Sequence, residues 1–364
     1  MATNGLQASA RGRGRWQLMP AACDVSVTNA CNAACDFCSF ARSKHRVEQR
    51  RWIDRDAMAR ALPIMYRRGI RYLNFQGGEP LMHREIERMV ADARAAGMRP
   101  TIITNGWYLP QKLPGLIAAG LNSLLVSIDS HSMALHEKNR GLPGLGQRLI
   151  AGLKIAREGG LSPIASVTMS RLVQYDKLPQ LLGPMGFSAV TFCYPRRAAL
   201  GSSSLIYDQN SDLLKFEDGE LIAALAAIKA LKHNFRVLNS SAALSEIERH
   251  IRGERECFPC VGGHKYFYLD WDLNIWRCED WKEPMGSVFD FEQISDRRDR
   301  CTACMISCYR DTSVLMHAGI AVADAARALA QGRVGQAAGL LARRSVAHSL
   351  GAVAENLGQL TRMV

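Results

Sequence analysis

Short apolar segments alternate with amphipathic helical segments from residue 22 to residue 240, and this alternation constrains the fold more than any other feature. Strands separated by helices predict βαβ units and a parallel sheet. Six such units predict an α/β fold in which residues 22–240 form a partial (β/α)6 barrel. Functional side chains in such folds follow the carboxyl ends of the strands. Polar segments occupy those places here: TNACNAACDFC, QGGEP, TNG, SIDS and YPRR.

The composition changes twice after the predicted barrel. Residues 253–311 are rich in Cys, Trp and Gly and contain short strand pairs, which predicts a small appended domain. Residues 313–364 are rich in Ala, Leu and Arg and predict amphipathic helices. At the other end, residues 1–21 predict a disordered basic arm that carries Arg11, Arg13 and Arg15.

The overall composition is that of a soluble globular protein, with 48% hydrophobic and 22% charged residues among 364. No run of 18 apolar residues predicts a membrane-spanning helix, and the first residues lack the apolar stretch of a secretory signal. We therefore expect a cytoplasmic protein. The net charge of +12 favours an anionic partner, but no dense Lys/Arg block interleaved with aromatics is present, so nucleic acid is not the expected partner.

The 11 cysteines are clustered rather than spread along the chain. Three lie between residues 31 and 38, six lie between residues 257 and 308, and Cys23 and Cys193 stand alone. An odd number of cysteines in a long chain without a secretory signal does not fit a disulfide framework. Clustered thiols in a reducing compartment indicate metal or iron–sulfur ligands.

The first cysteine group, Cys31, Cys35 and Cys38, has a C-x3-C-x2-C spacing in a loop after the first predicted strand. Three thiolates can bind three irons of a cubane cluster and leave the fourth iron open to another ligand. A structural zinc site requires four ligands, and His45 is the available fourth one. The spacing alone leaves both interpretations open.

Two further motifs resemble the radical SAM superfamily, whose members cleave S-adenosylmethionine (SAM). Phe37 precedes the third cysteine, and Gly77-Gly78-Glu79-Pro80 ends the next strand, as the GGEP motif does in that family. The resemblance implies a TIM-like partial barrel, a [4Fe–4S] cluster on the three cysteines, and a 5′-deoxyadenosyl radical as the reactive species. It implies that Phe37 packs beside the SAM adenine and that the GGEP segment receives the SAM amino group. It further implies polar SAM contacts by Asn105, Ser127, Asp129 and Arg140; for Asp129, a helix cap is the alternative.

The second cysteine group resembles the auxiliary-cluster module of "Twitch" and "SPASM" radical SAM enzymes. The expected ligands of a second [4Fe–4S] cluster are Cys260, Cys278, Cys301 and Cys304. Cys257 and Cys308 are additional candidates, and the set Cys257, Cys260 and Cys278 resembles the three-ligand cluster of molybdenum-cofactor cyclases. The segment RCTACMISCYRDTSVL shows a short likeness to adenosylhopane synthase relatives. A structural zinc knuckle is the remaining alternative.

Several residues outside the cysteine groups are candidates for catalysis. Glu279 and Asp280 directly follow Cys278, so either carboxylate is a candidate base near both cluster and substrate. Cys193 at a strand end is a candidate hydrogen donor, or a small core residue. Arg196 and Arg197 could hold a substrate carboxylate or phosphate.

The sequence favours a radical SAM enzyme acting on a small molecule, which could be sugar-like, a nucleoside or a lipid. The alternatives are a peptide or protein maturase, a tRNA-modifying enzyme and a non-catalytic iron–sulfur carrier. A flavodoxin- or ferredoxin-type electron donor is an expected partner. The a/d-like spacing of apolar residues in the last helix predicts packing on the barrel, a partner contact or a membrane-surface contact; these residues are Val346, Leu350, Val353, Leu357, Leu360 and Val364.

Overall fold

The computed structural model describes residues 19–43, 47–195 and 211–361. The predicted basic arm up to residue 18, His45, and the pair Arg196 and Arg197 lie outside these residues. So do the side chain of Leu360 and all of Val364 in the last predicted helix.

Nine strands and twelve α-helices make up the described chain. The strands are β1 Ala21–Ser26, β2 Ile70–Gln76, β3 Arg99–Thr104, β4 Ser123–Ile128, β5 Ile164–Thr168, β6 Ala189–Cys193, β7 Tyr266–Leu269, β8 Asn274–Trp276 and β9 Gly286–Ser287. The helices are α1 Ser39–Ser43, α2 Arg55–Arg67, α3 Ile86–Ala95, α4 Leu109–Ala118, α5 Met133–Arg140, α6 Leu145–Glu158, α7 Leu178–Met185, α8 Asp218–Leu231, α9 Ser241–Ile251, α10 Ser307–Ala330, α11 Val334–Leu341 and α12 Arg344–Thr361.

The helices begin and end where local chemistry favours it. Asp54 caps α2 by accepting a hydrogen bond from the amide of Ala57, at 2.6 Å. Glu217 and Glu220 form a capping box at the start of α8. Gly141 ends α5 in the left-handed conformation, with φ 61°.

Six parallel strands, in the order β6-β5-β4-β3-β2-β1, form the predicted partial barrel. The strands of the predicted cysteine-rich domain continue the same sheet. Strand β7 pairs in parallel with β1, and β8 and β9 extend the same sheet as antiparallel strands. Phe267, Ile275 and Phe291 belong to the main hydrophobic core. Val261, Tyr266, Cys278, Ile306 and Tyr309 form a separate, smaller cluster, so this segment shares the barrel sheet and main core but also has a small core of its own.

The two faces of the barrel strands differ in chemistry. The outer face is apolar and fully buried against the helices, as with Leu73 and Phe75 in β2 and Val126 in β4. The inner face carries polar residues at alternate positions, because successive side chains of a strand point to opposite sides. These inward residues include Asp24, Asn74, Gln76, Thr101, Ser123, Ser127, Ser166, Thr168 and Thr191. Ile103, Leu125 and Ile164 share this inner face, so the barrel encloses a cavity that both polar and apolar side chains line.

Helix α10 is the one helix among the described residues that is long and apolar enough to cross a membrane, by length and composition alone. Its first turn contains Arg310, which is 2% exposed and donates to the carbonyl oxygen of Phe258 at 2.8 Å. The helix packs against α9, α11 and α12. These contacts are those of a helix packed within the protein.

Helix α12 forms as predicted but buries a different face from the one expected. Val346 is 8% exposed and packs on α10, whereas Leu350 and Leu357 are 57% and 58% exposed. The buried face instead runs through Ser349 and Ala352, and Ser349 Oγ donates to the carbonyl oxygen of Val314 at 2.6 Å. Small residues face α10 because they allow the two helices to approach closely.

Candidate active site

The loop that carries the first cysteine group is fixed by bonds to its neighbours. Thr28 Oγ1 donates to the carbonyl oxygen of Arg51 at 2.7 Å, and the amide of Ala34 donates to the carbonyl oxygen of Arg140 at 2.8 Å. Cys31, Cys35 and Cys38 all line one cavity of about 360 Å³. The loop therefore presents its three thiols to a single enclosed space.

The glycine pair after β2 lies directly against this loop. The amide of Gly78 donates to the carbonyl oxygen of Thr28 at 2.8 Å. A Cβ at Gly77, where φ is 128°, would lie 2.4 Å from that same oxygen. A Cβ at Gly78 would lie 2.1 Å from the carbonyl oxygen of Ala30. Only glycine permits this approach of backbone to backbone, and both glycines line the cavity.

Glu79 holds the same segment in place through hydrogen bonds to its carboxylate. Its carboxylate is fully buried and accepts hydrogen bonds from Thr104 Oγ1 at 2.7 Å, the Leu81 amide at 2.9 Å and the Asn105 amide at 2.8 Å. Burial raises the pKa of Glu79, and these hydrogen bonds oppose that rise. Pro80 begins a short 3-10 turn that Glu79 caps.

Asn105 and Phe37 line the same cavity as the three thiols. Asn105 Nδ2 donates to Asn32 Oδ1 at 2.8 Å and lies 3.9 Å from Cys31 Sγ. Phe37 is 4% exposed and lines the cavity with Ser127. Six of the predicted SAM-contacting residues line this cavity: Phe37, Gly77, Gly78, Asn105, Ser127 and Arg140.

Arg140 and Asp129 form a buried ion pair. Arg140 donates from Nη2 to Asp129 Oδ1 at 2.6 Å and from Nε to Oδ2 at 2.9 Å. Arg140 lines the cavity, while Asp129 lies behind it and also accepts from Asn139 Nδ2 at 2.9 Å. Asp129 does not cap α5, because the capping position belongs to Ser132; the helix-cap alternative is wrong. Asp129 is a positioning residue for Arg140.

Burial and the Arg140 guanidinium have opposite effects on the pKa values of the three thiols. Burial raises the pKa of Cys31 to about 12 and also raises the pKa values of Cys35 and Cys38. The Arg140 guanidinium lowers all three pKa values. Metal ligation requires the thiolates, so this buried cation favours the ligating form.

The arrangement fits a cubane cluster better than a single ion. Among the residues that the structure describes, no three His, Cys, Asp or Glu side chains converge as the ligands of one metal ion. In a cubane each thiolate binds a different iron, so the sulfurs surround a volume instead of meeting at a point. The enclosed thiols, the close-packed glycine pair and the nearby Arg140 fit a [4Fe–4S] cluster with SAM beside it.

A profile of the radical SAM superfamily matches residues 25–174. Residues 25–174 of this chain therefore form a radical SAM domain. Members of the superfamily use a [4Fe–4S] cluster and SAM.

Curated relatives match part of the chain. GTP 3′,8-cyclase of Mycolicibacterium smegmatis is 39% identical over 153 residues, which cover 38% of this chain and 39% of that protein. Molybdenum cofactor biosynthesis protein 1 of Drosophila melanogaster is 30% identical over 156 residues, 42% of this chain and 27% of that protein. The chain thus spans about two fifths or less of the length of these relatives.

Solved structures share the fold. SuiB of Streptococcus suis bound to S-adenosylmethionine has a TM-score of 0.58 at 15% identity, covering 77% of this chain and 67% of that one. The enzyme anSMEcpe with bound AdoMet has a TM-score of 0.53 at 14% identity, covering 74% and 78%. At these identities the likeness shows the radical SAM partial barrel fold alone.

Cysteines of the second group pack in a small cluster with Tyr266 of β7 and Tyr309 of α10. Cys260 and Cys304 both raise the pKa of Cys278, and Cys260 also raises the pKa of Cys304. Cys301 raises the pKa values of Cys260 and Cys304. Burial is the larger cause in each case, and it brings the pKa of Cys304 to about 12. Cys260, Cys278 and Cys304 thus lie near one another, and the set of four ligands stays a prediction.

The remaining two cysteines of the group lie differently. Cys257 is exposed, and its amide donates to Glu246 Oε2 at 2.9 Å, on the outer side. The three-ligand set that includes Cys257 is not brought together. Cys308 packs against the second cysteine group and also lines the barrel cavity. Cys308 thus lies between the two predicted cluster sites.

The two predicted bases face opposite sides. Glu279 is 3% exposed and lines the barrel cavity, where Gln76 Nε2 lies 3.5 Å from its Oε2. Asp280 is fully buried and raises the pKa values of Cys278 and Cys304, so it lies beside the second cysteine group.

Asp24 is a functional candidate that the sequence did not reveal. It is 3% exposed and lines the cavity in the middle of β1. Asn74 Nδ2 and Tyr266 Oη both donate to its Oδ1, at 2.8 and 2.9 Å. Burial and the nearby Glu279 charge raise the pKa of Asp24 to about 7, against the effect of both hydrogen bonds. A polar residue inside an otherwise apolar strand was the available signal.

Proposed function

We propose that the chain is a radical SAM enzyme that abstracts hydrogen from a small polar molecule held in the barrel cavity, with a second [4Fe–4S] cluster on Cys260, Cys278, Cys301 and Cys304. One observation carries the proposal. A single cavity extends from the three thiols of the first group to Cys193, Glu279 and Cys308. A substrate in that space would have the radical source on one side and the second cysteine group on the other.

When bound, the first cluster and SAM supply a 5′-deoxyadenosyl radical. The chain supplies the positioning. Gly77 and Gly78 offer backbone close to the thiols, because no side chain stands between. Ser127 and Arg140 are the polar side chains available for the SAM ribose and carboxylate on the same wall. Phe37 offers an apolar surface for the adenine.

The far side of the cavity supplies acid–base chemistry. Glu279 is placed to accept the proton that a substrate releases when its radical is oxidised. A [4Fe–4S] cluster on the second cysteine group would supply a one-electron acceptor there. Asp280 acts on that cluster environment rather than on the substrate, because it lies on the side of Cys278 and Cys304.

Epimerisation is a second candidate outcome, supported by the position of Cys193. Its thiol lies at the end of β6, lines the cavity, and is 3.7 Å from Ser166 Oγ. A thiol there could return a hydrogen atom to a substrate radical. Incubation in D2O distinguishes the outcomes, because hydrogen return from Cys193 places deuterium in the product and oxidation does not.

The test is an anaerobic reconstitution followed by SAM turnover with candidate metabolites and mass spectrometry. We expect Glu279→Gln to reduce product formation at least tenfold while SAM cleavage to 5′-deoxyadenosine persists. Glu283→Gln is the matched control, because that carboxylate is exposed. Normal product formation by Glu279→Gln removes Glu279 as the base. Absence of SAM cleavage by the wild-type enzyme contradicts the proposed function itself.

A further inference from the structure

A buried hydroxyl group beside the second cysteine group has no hydrogen-bond partner. Tyr309, in the first turn of α10, is 2% exposed, and its Oη bonds to no other group among the described residues. Burying a hydroxyl without a hydrogen bond is costly, so native structures rarely leave one unpaired. The Tyr309 hydroxyl therefore calls for a partner from outside the chain.

Tyr309 lies among the expected ligands of the second cluster. It packs in one small cluster of side chains with Cys260, Cys278 and Cys304. A Cβ at Gly262 would lie 3.4 Å from Cys260 Sγ and 3.4 Å from Tyr309 Cδ1, so the sulfur and the ring edge border the same backbone position. The unpaired hydroxyl thus belongs to the side chains that surround the proposed cluster.

The Tyr309 hydroxyl keeps its proton and lies toward the barrel cavity as well as the cysteines. Burial raises the pKa of Tyr309 well above its ordinary value, and the nearby charges of Asp24 and Cys278 raise it further. A phenol in this state is a hydrogen-bond donor at neutral pH. The Tyr309 ring also packs on Tyr266, with the ring centroids 4.5 Å apart, and Tyr266 lines the cavity. The two tyrosines therefore span the wall between the cavity and the second cysteine group.

We propose that Tyr309 Oη donates a hydrogen bond to a sulfur atom of the second cluster and thereby raises the reduction potential of that cluster. The inference rests on the proposed function, because it concerns the same second cluster. Hydrogen bonds to the sulfurs of an iron–sulfur cluster are one of the factors that set its potential. Such a bond stabilises the reduced cluster most, since that state carries one more negative charge. A higher potential favours transfer of the electron that a substrate radical loses, while the proton goes to Glu279.

The test is a redox titration of the anaerobically reconstituted full-length enzyme, followed by electron paramagnetic resonance. SAM alters the signal of the cluster that it binds, so the signal that SAM leaves unchanged reports the second cluster. Tyr309→Phe removes the donor and keeps the ring. We expect the potential of the second cluster to fall by about 59 mV, a tenfold change in a one-electron equilibrium. The iron and sulfide content should stay at the wild-type level.

A second tyrosine supplies the matched control. The hydroxyl of Tyr175 is also buried without a partner among the described residues, but its ring packs on Phe192 of β6. Tyr175→Phe should leave the potential unchanged. An unchanged potential in Tyr309→Phe, as expected if a water is the partner, or an equal fall in Tyr175→Phe, overturns the inference.

A stronger donor at the same position gives the opposite shift. Replacement of Tyr309 by 3-fluorotyrosine keeps the shape of the side chain and should raise the potential, so the inference stays testable even if Tyr309→Phe loads poorly. No rise in that protein overturns it. Failure of the proposed function looks different: a wild-type enzyme with about four iron per chain has no second cluster, which removes that part of the function together with the inference. Two clusters with an unmoved potential remove the inference alone.

Discussion

Removing the charge of Asp129 should lower the free energy of unfolding. Asp129→Asn leaves the Arg140 guanidinium buried, with its two charge-assisted bonds at 2.6 and 2.9 Å lost or weakened. Breaking one partner of a buried ion pair costs about 3–5 kcal/mol. Both residues are under 10% exposed, so solvent screening does not reduce this value strongly. We expect the free energy of unfolding to fall by about that amount, as measured by urea denaturation.

The pH dependence of stability gives an independent measure. Although burial favours the protonated form, the charge of Arg140 holds the pKa of Asp129 well below its usual range. A carboxyl with a depressed folded-state pKa stabilises the fold fully above its unfolded pKa, which is about 3.9. That stabilisation is lost as the pH falls through the folded-state pKa. The Asp129→Asn protein should therefore lack this component of the acid-induced loss of stability.

A double variant completes the experiment. Replacement of the whole pair by Asp129→Leu with Arg140→Met should recover much of the stability, because apolar residues of similar volume often substitute for a buried ion pair. It should not recover SAM affinity, because Arg140 faces the cavity. Asp56→Asn is the surface control, with a side chain 74% exposed, and should change stability by less than about 1 kcal/mol. Wild-type stability in Asp129→Asn, or wild-type SAM affinity in the double variant, would refute the reasoning.

Two further predictions concern the cluster sites. The wild-type enzyme should contain about eight iron and eight sulfide per chain, Cys301→Ser should retain about four of each, and Cys257→Ser should match the wild type in elemental analysis. Gly78→Ala should abolish cluster loading in absorbance spectra, since its Cβ would lie 2.1 Å from a backbone oxygen, whereas Gly219→Ala has open space and should load normally.

The sequence was enough to predict that the cysteine loop and the GGEP segment lie together, because both are local features, whereas their SAM contacts stay predictions. The cysteine loop and the GGEP segment each follow a strand, and neighbouring parallel strands end at the same edge. The order of strands then brings Cys31 and Gly78 together without any long-range information. Glu79 and Asn105 follow β2 and β3 in the same way, and their hydrogen bond joins consecutive strand ends.

The substrate side depends on contacts between distant segments, and the sequence showed less of it. Strand β7 pairs with β1, which places Tyr266 beside Asp24 although 242 residues separate them. No periodicity in either segment encodes that pairing. The same limitation explains the face of α12, because helix periodicity ranks Leu350 and Leu357 as core residues while packing on α10 selects small side chains instead.

The radical SAM match covers only part of the residues that line the cavity. The radical SAM match ends at residue 174, and it contains the three thiols, the glycine pair and Arg140. Asp24 lies one residue before the match, while Cys193, Glu279 and Cys308 lie after it. The matched segment therefore contains the residues predicted to bind the first cluster and SAM, together with part of the cavity lining. A relative that matches this segment alone can differ in substrate, because Cys193, Glu279 and Cys308 line the cavity from beyond the match.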